Sequence, residues 1–415
     1  MTAKNNIPAG YNGSAVGIIP QEWEVKCLGD LLSRLANGLT YDVSVTSGYP
    51  VSRIETISSG EINYSKVGYI DNVVECELYK MQKGDILYSH INSLAHVGKV
   101  AYYDGKQELY HGMNLLLMRV NDMVDSNYLY AYMLTSQAKH IAQVIAKPAV
   151  NQASISISDI RKIKLAVPPM EEQRKIAEIL GVWDEAIEKQ SRLIEKLELR
   201  KRALMQRLLT GRTRLPGFTT PWQKRRMKDC FEHITDTSNG CEYLPMTISA
   251  RLGLISQKDK FDRVIAGDSL KKYTHIQKGD FAYNKGNSNL YEMGCIYRLK
   301  EQDAVVPFVY ICFRPKQNVI GEFYRHFFIN HGLDRQLKRI ITSGARGDGL
   351  LNVDKTDFFE LEIVYPPIAE QKAIAEVLTA ADNEIATHRK RLEALRLQKR
   401  GLMQQLLTAK IRVKI

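Results

Sequence analysis

The stretch "PPMEEQRKIAEIL" occupies residues 168–180, and "PPIAEQKAIAEVL" occupies residues 366–378. Superposing them fixes an offset of 198 residues, and that register runs without a gap from 167–215 onto 365–413. Of those 49 positions 22 are identical, which marks an internal duplication. Glu172/Glu370, Gln173/Gln371, Asp184/Asp382, Lys201/Lys399 and Arg202/Arg400 are shared, and "LMQRLLT" (204–210) returns as "LMQQLLT" (402–408).

Inside each copy the seam positions step by alternating fours and threes. The first seam is Ile176, Leu180, Trp183, Ile187, Gln190, Ile194, Leu197, Lys201, Leu204 and Leu208. The second is Ile374, Leu378, Ala381, Ile385, His388, Leu392, Leu395, Lys399, Leu402 and Leu406. This heptad spacing predicts two helices of about 40 residues, roughly 60 Å long, that pair as a coiled coil. Each Pro-Pro suits a strand exit or first helical turn, Glu171 and Glu172 suit the positive end of the helix dipole, and Gly211 and Pro216 supply a stop. Lys201 and Lys399 are expected to snorkel at the seam edge. Gln190 and His388 fall near the helix centres, where antiparallel pairing would let them approach and fix register.

The duplication extends faintly upstream. "IPQEWEVKCLGDLL" (19–32) has a counterpart in "TTPWQKRRMKDCF" (219–231), which sets Trp23 beside Trp222 as packing anchors. "MQKGDILYSHIN" (81–92) answers "IQKGDFAYNKGN" (276–287), and "HVGKVAYY" (96–103) answers "EMGCIYRL" (292–299). Alternating runs such as "GKVAYY" and "LLLMRV" read as strands. A helical stretch (127–146, 321–343), a loop ("AKPAVNQASIS", "SGARGDGLLNV") and a short apolar strand then lead into each Pro-Pro. The expected architecture is mixed α/β with an internal pseudo-two-fold repeat: α/β domains at 1–166 and 214–364, and long helices at 167–213 and 365–415.

A length of 415 residues suits more than one domain, and 44% hydrophobic with 25% charged residues suits a soluble protein. No apolar run approaches a membrane span, and the opening "MTAKNNIPAGYNGSAVG" lacks the apolar core of a secretory signal, so a cytoplasmic protein with no membrane role is expected. Six scattered cysteines without a C-x-x-C pair indicate neither zinc knuckle nor disulfide framework. The net charge of +12 fits a polyanionic partner, and double-stranded DNA is the first to test.

With these residues in hand the chain resembles the specificity subunit of a Type I restriction–modification system. The resemblance spans nearly the whole length and rests on "VGIIPQEWEVKCLGDLL", the KGD turns, "FAYNKGNS" and both "PP…EQ..IA..L" helix starts. It implies two target-recognition domains, each reading half of a split DNA sequence. It also implies two long helices that run antiparallel, separate those domains and bind two methyltransferase subunits, with restriction subunits joining through them. The chain itself is expected to catalyse nothing and bind no cofactor or metal. S-adenosylmethionine, ATP and magnesium would serve the adenine-methylating and ATP-dependent endonuclease partners. The residues agree: no G-x-x-x-x-G-K-[ST] loop, no Asn/Asp-Pro-Pro-Tyr/Phe tetrad and no H-E-x-x-H are present.

Phosphate contacts call for Lys and Arg, and base readout for Asn, Gln, Ser, Arg and His on polar loops. In the first half the candidates are Ser89, His90, Asn92 and Lys99 near the KGD turn, with Lys147, Asn151 and Gln152 further on. In the second they are Asn284, Lys285, Asn287, Ser288 and Asn289, with Arg346 and Asp348. The basic cluster 224–228 is a further phosphate candidate, and Arg200–Arg202 suits a solvated helix face. Two rival readings are a coiled-coil scaffold without a DNA role, which leaves the basic charge unused, and a nuclease or methyltransferase fused to recognition domains, which the missing motifs oppose.

Overall fold

The computed structural model describes residues 7–71, 76–150, 152–237, 243–261, 267–286, 290–300, 302–341 and 351–415. The chain forms two compact units, Met1–Ser191 with Arg391–Ile415, and Arg192–Lys390. Contacts therefore divide each long helix between the units, whereas the sequence periodicity sets the helices apart as segments of their own.

Besides two small two-stranded sheets, Tyr11–Ser14 with Gly17–Pro20 and Tyr49–Val51 with Gly68–Ile70, the first unit has β1 (Glu24–Cys27), β2 (Leu32–Asn37), β3 (Ile86–Tyr88), β4 (Ile91–Asn92), β5 (Val100–Tyr102) and β6 (Leu116–Val120). Two helices follow, α1 (Ser126–Met133) and α2 (Ser136–Ile145), then β7 (Lys147–Ala149), β8 (Gln152–Ser154), β9 (Lys164–Val167) and the long α3 (Met170–Leu208). The sheets run β2-β6-β3-β5, β7-β8-β4 and β9-β1, all antiparallel. The single helical stretch expected at 127–146 is two helices. Asp125 caps α1 by accepting from the Asn127 and Tyr128 amides, and Thr135 restarts the helix by accepting from Ala138.

The second unit holds β10 (Gln223–Arg226), β11 (Phe231–His233), β12 (Leu244–Ser249), β13 (Gly253–Ser256), β14 (Thr274–Ile276) and β15 (Phe281–Asn284). It continues with β16 (Cys295–Arg298), β17 (Ala304–Val306), β18 (Ile311–Pro315), α4 (Gly321–Ile329), β19 (Glu362–Tyr365) and the long α5 (Ile368–Leu407). Its sheet β11-β18-β15-β16 repeats the order of β2-β6-β3-β5. The central register repeats too: Ile86 lies opposite Met118, and Phe281 lies opposite Phe313. The sheet β13-β12-β17-β14 has no counterpart among the described strands of the first unit, and β19-β10 mirrors β9-β1. Here too the helical stretch is split, at Ile329, with a second helix at Asp334–Ile340.

The duplicated phrases decode as core parts. In the first unit, Met403, Leu406 and Leu407 from the end of α5 join Trp23, Tyr128, Ile176 and Leu180 in one buried cluster. In the second, Met205, Leu208 and Leu209 from the end of α3 join Phe231, Tyr324, Ile374 and Leu378. "LMQRLLT" and "LMQQLLT" are thus equivalent plugs, each completing a core built around the start of the other helix, which requires antiparallel pairing within each unit. Ile176, Leu180, Gln190, Ile194, Leu197, Leu208, Ile374, Leu378, Ala381, Ile385, Leu392 and Leu406 are buried. Trp183, Ile187, Leu204, His388, Leu395 and Leu402 are half-buried. The seam lysines do not snorkel. Lys399 Nζ lies 2.5 Å from Asp184 in the first unit, and Lys201 pairs with Asp382 in the second. The periodicity placed the lysines correctly, but Asp184 and Asp382 sit one position past the seam residues Trp183 and Ala381, where each draws the ammonium across to the facing helix.

Candidate nucleic-acid interface

Each unit is held by two latches. The first is the Lys-Gly-Asp turn. Gly84 and Gly279 adopt φ of +97° and +100°, a conformation open to glycine. The following carboxylate then faces inward. Asp85 accepts from Gln82 N at 2.7 Å and takes a two-pronged contact from Arg119 at 2.8 and 2.7 Å. Asp280 accepts from Gln277 N at 2.7 Å and from Arg314 at 2.7 and 2.8 Å.

The second latch explains the "EQ" of the repeated phrase. Glu172 accepts from Trp23 Nε1 at 2.9 Å and from Arg412 Nε and Nη2 at 2.7 and 2.9 Å. Glu370 accepts from Trp222 Nε1 at 2.8 Å and from Arg214 Nε and Nη2 at 2.6 and 2.7 Å. These carboxylate bonds raise the already high pKa of both arginines. Gln173 accepts from Asp125 N and donates to Pro168 O, and Gln371 accepts from Ile320 N and donates to Pro366 O. Arg214 and Arg412 are identical positions of the repeat, a signal available in the sequence, although periodicity alone gives them no role.

On this frame the candidates of the first unit converge. β8 pairs with both β4 and β7, so Asn92, Lys147 and Gln152 belong to one sheet. The segment expected as a loop at 146–156 is therefore largely a hairpin. Buried Ala153 and Ile155 alternate with exposed Gln152, Ser154 and Ser156, which is a strand period. Pro148 is tolerated because β7 is an edge strand. Ser89 and His90 are corrected to framework positions. Both are buried; Ser89 Oγ accepts from Asn92 Nδ2 at 3.1 Å, and the His90 carbonyl accepts from Ile155 N at 2.9 Å. Burial lowers the His90 pKa and favours its neutral ring. Lys99 Nζ is held by the Ser58 carbonyl at 2.7 Å. Lys147 and Gln152 are exposed and make no side-chain hydrogen bond among the described residues.

In the second unit Asn284 closes β15, with its Oδ1 accepting from Gly286 N at 2.9 Å. The Lys285 carbonyl accepts from Leu351 N at 2.9 Å, much as His90 does from Ile155. The two stretches singled out in the sequence thus meet in this half as well. Asn151, Asn287, Ser288, Asn289, Arg346 and Asp348 lie outside the described residues. Much of the basic cluster at β10 is compensated: Lys224 pairs with Glu362 at 3.3 Å, and Arg226 and Lys228 pair with Glu360 at 2.6 and 2.5 Å. Arg225 stacks 3.9 Å above the Tyr365 ring. Arg200 reaches Glu384 at 2.5 Å, so this part of the helix face is ion-paired. Among the described residues no group of three or more His, Cys, Asp or Glu is placed to hold a metal, and no helix is long and apolar enough to cross a membrane.

A family model described as the Type I restriction modification DNA specificity domain matches residues 20–199 and 264–397. The chain belongs to the Type I restriction–modification specificity family. It is 34% identical to the provisional MjaX type I restriction enzyme specificity subunit of Methanocaldococcus jannaschii, over 97% of each chain. With the EcoKI specificity subunit of Escherichia coli it shares 26% identity over 39% of this chain and 36% of that one. Its fold is similar to the S subunit of the M. genitalium Type I system, at a TM-score of 0.56, 14% identity and coverage of 100% of this chain and 99% of that one. A second solved chain, from work on assembly and conformational transition of a type I restriction–modification system, gives a TM-score of 0.57 at 13% identity, over 95% and 99% of the chains. In specificity-family terms, the two α/β segments are target-recognition domains and the paired helices are the repeated elements.

Proposed function

We propose that this chain reads an asymmetric, split target on double-stranded DNA, one half-site per unit, and holds two methyltransferase subunits through which restriction subunits join. The reading is carried by one observation: the same latched frame is built twice and presents different side chains at the same place. Beside the duplicated Lys-Gly-Asp turn and its strand, the hairpin seated on β4 exposes Lys147, Gln152 and Ser154 in one unit, whereas in the other Lys285 follows the strand and its carbonyl is bound by Leu351 N. Different donors and acceptors select different base edges, so the half-sites should differ. The doubled Glu–Trp–Arg latch supports two equivalent docking positions for two copies of one partner. The helices have 39 and 40 residues. At 1.5 Å per residue each is about 60 Å long, more than one 34 Å turn of duplex, which supports their setting the gap between half-sites. The +12 charge supports a phosphate-rich partner.

In this reading the recognition segments are 1–166 and 214–364, the helical segments are 167–213 and 365–415, and the complex works in the cytoplasm. The chain catalyses nothing itself, and S-adenosylmethionine, ATP and magnesium serve the partner subunits. The test is a map of methylated adenines in cells carrying this chain and its methyltransferase. One bipartite motif with two unlike halves, present only with this chain, is expected. Methylation that ignores the chain would overturn the reading in favour of a scaffold.

A further inference from the structure

The hairpin of β7 and β8 sorts its side chains by face. Residues opposite one another in an antiparallel pair project the same way, as do residues two apart on one strand. Lys147 lies opposite Ser154, and Gln152 is two positions before Ser154, so these three share a face. All are exposed, and none makes a side-chain hydrogen bond among the described residues. Asn92 and Pro148 lie opposite Ala153 on the other face, where the Asn92 amide is turned to Ser89. Val150, next to the end of β7, is 91% exposed.

A β-strand from another protein is a poor occupant for this hairpin. β7 is the outer strand, and Pro148 removes an N–H that an added strand would need. A two-stranded ribbon does fit the major groove of B-DNA, about 12 Å wide, where a Gln side chain can grip adenine at N6 and N7 and an apolar side chain can touch the thymine methyl. Resting on the proposed DNA-reading role, we infer that β7, β8 and Val150 enter the major groove as a ribbon. Gln152 reads an adenine, Val150 packs on a thymine methyl and Lys147 meets backbone phosphate. Asn92, on the far face, is part of the support and reads nothing.

The test uses the full chain assembled with its methyltransferase, and duplexes carrying the motif mapped in cells. Gln152→Ala should relax one position in one half-site, lowering discrimination there by roughly 5- to 150-fold and leaving the other half-site as it was. Replacing thymine by uracil removes only the ring methyl. It should weaken wild-type binding by about fourfold at one position, and Val150→Ala should be indifferent to it. Asn92→Ala should leave base preference unchanged. Unaltered preference in Gln152→Ala, or a uracil response that survives Val150→Ala, would overturn the inference even where a motif exists. A uniform loss at every base would assign the hairpin to phosphate contact and overturn it equally. The absence of any motif in the wild type sinks the proposed function instead.

Discussion

Replacing Glu172 by Gln removes a charge from a carboxylate that is only 1% exposed and leaves Arg412 facing an amide. Breaking a buried ion pair by removing one member costs about 3–5 kcal/mol. Arg412 keeps 34% of its side chain in solvent and can be rehydrated there, which brings the expected loss to about 2–3 kcal/mol. For a cooperative unit of about two hundred residues this is a fall in Tm of roughly 4–12 °C. The assay is calorimetric or denaturant unfolding of the full chain, with Glu171→Gln as control. Glu171 is the exposed neighbour, and its substitution should stay within about 0.5 kcal/mol of wild type. Arg412 then keeps only the exposed Glu22 at 3.2 Å, so adding Arg412→Met to Glu172→Gln should recover part of the loss by removing a cation whose buried partner is gone. If Glu172→Gln and Glu171→Gln unfold alike, the latch does not hold the first unit together and the reading of the repeated "EQ" is wrong.

Leu208→Ala, at the end of α3, should cost about 2–5 kcal/mol and raise amide exchange in the second unit. Leu406→Ala, at the end of α5, should do the same in the first, because each leucine is buried in that unit's core. Asp280→Asn should destabilise the second unit by about 2–3 kcal/mol, since a carboxylate only 2% exposed then loses the two-pronged Arg314 contact; urea unfolding reads the change. Burial lowers the His111 pKa to about 4. As pH falls from about 6.5, the unfolded chain takes up a proton that the folded chain refuses, so stability should fall by about 1.4 kcal/mol per pH unit until pH 4 and no further on this account. His111→Gln should lessen that slope, leaving the share of His326, whose pKa burial also lowers to about 4.

Periodicity carried the long helices because a heptad seam is local and repetitive. Residues such as Ile176, Leu180, Ile374 and Leu378 announce their burial by spacing alone. It could not show what the seam ends pack against, since Leu208 and Leu406 serve cores whose other walls lie far away in the chain. The lysine pairs were hidden for the same reason: an Asp one position off the seam looks solvated until the facing helix is in place. The hairpin at 147–154 was legible in principle from the alternation around Ala153 and Ile155, but Pro148 argues against a strand unless the strand is known to be an edge. For the candidate site, the sequence singled out two stretches in each half, and the structure brings β4 and β8 together and sets Lys285 against Leu351. It did not tell an exposed side chain from a buried one. Ser89 and Gln152 are equally polar as letters, and only pairing and burial separate them.

The exchange of helix ends has a consequence for synthesis. A ribosome delivers the parts of the second unit, residues 192–390, as one uninterrupted block, so that unit can close as soon as the block has emerged. The first unit waits for Met403, Leu406, Leu407 and Ala409, which fill its core. At about 5–20 residues per second the gap between residues 191 and 409 takes roughly ten to forty seconds. The half made first is thus completed last, and during that interval its vacant apolar seat is open to chaperones or to the equivalent leucines of α3.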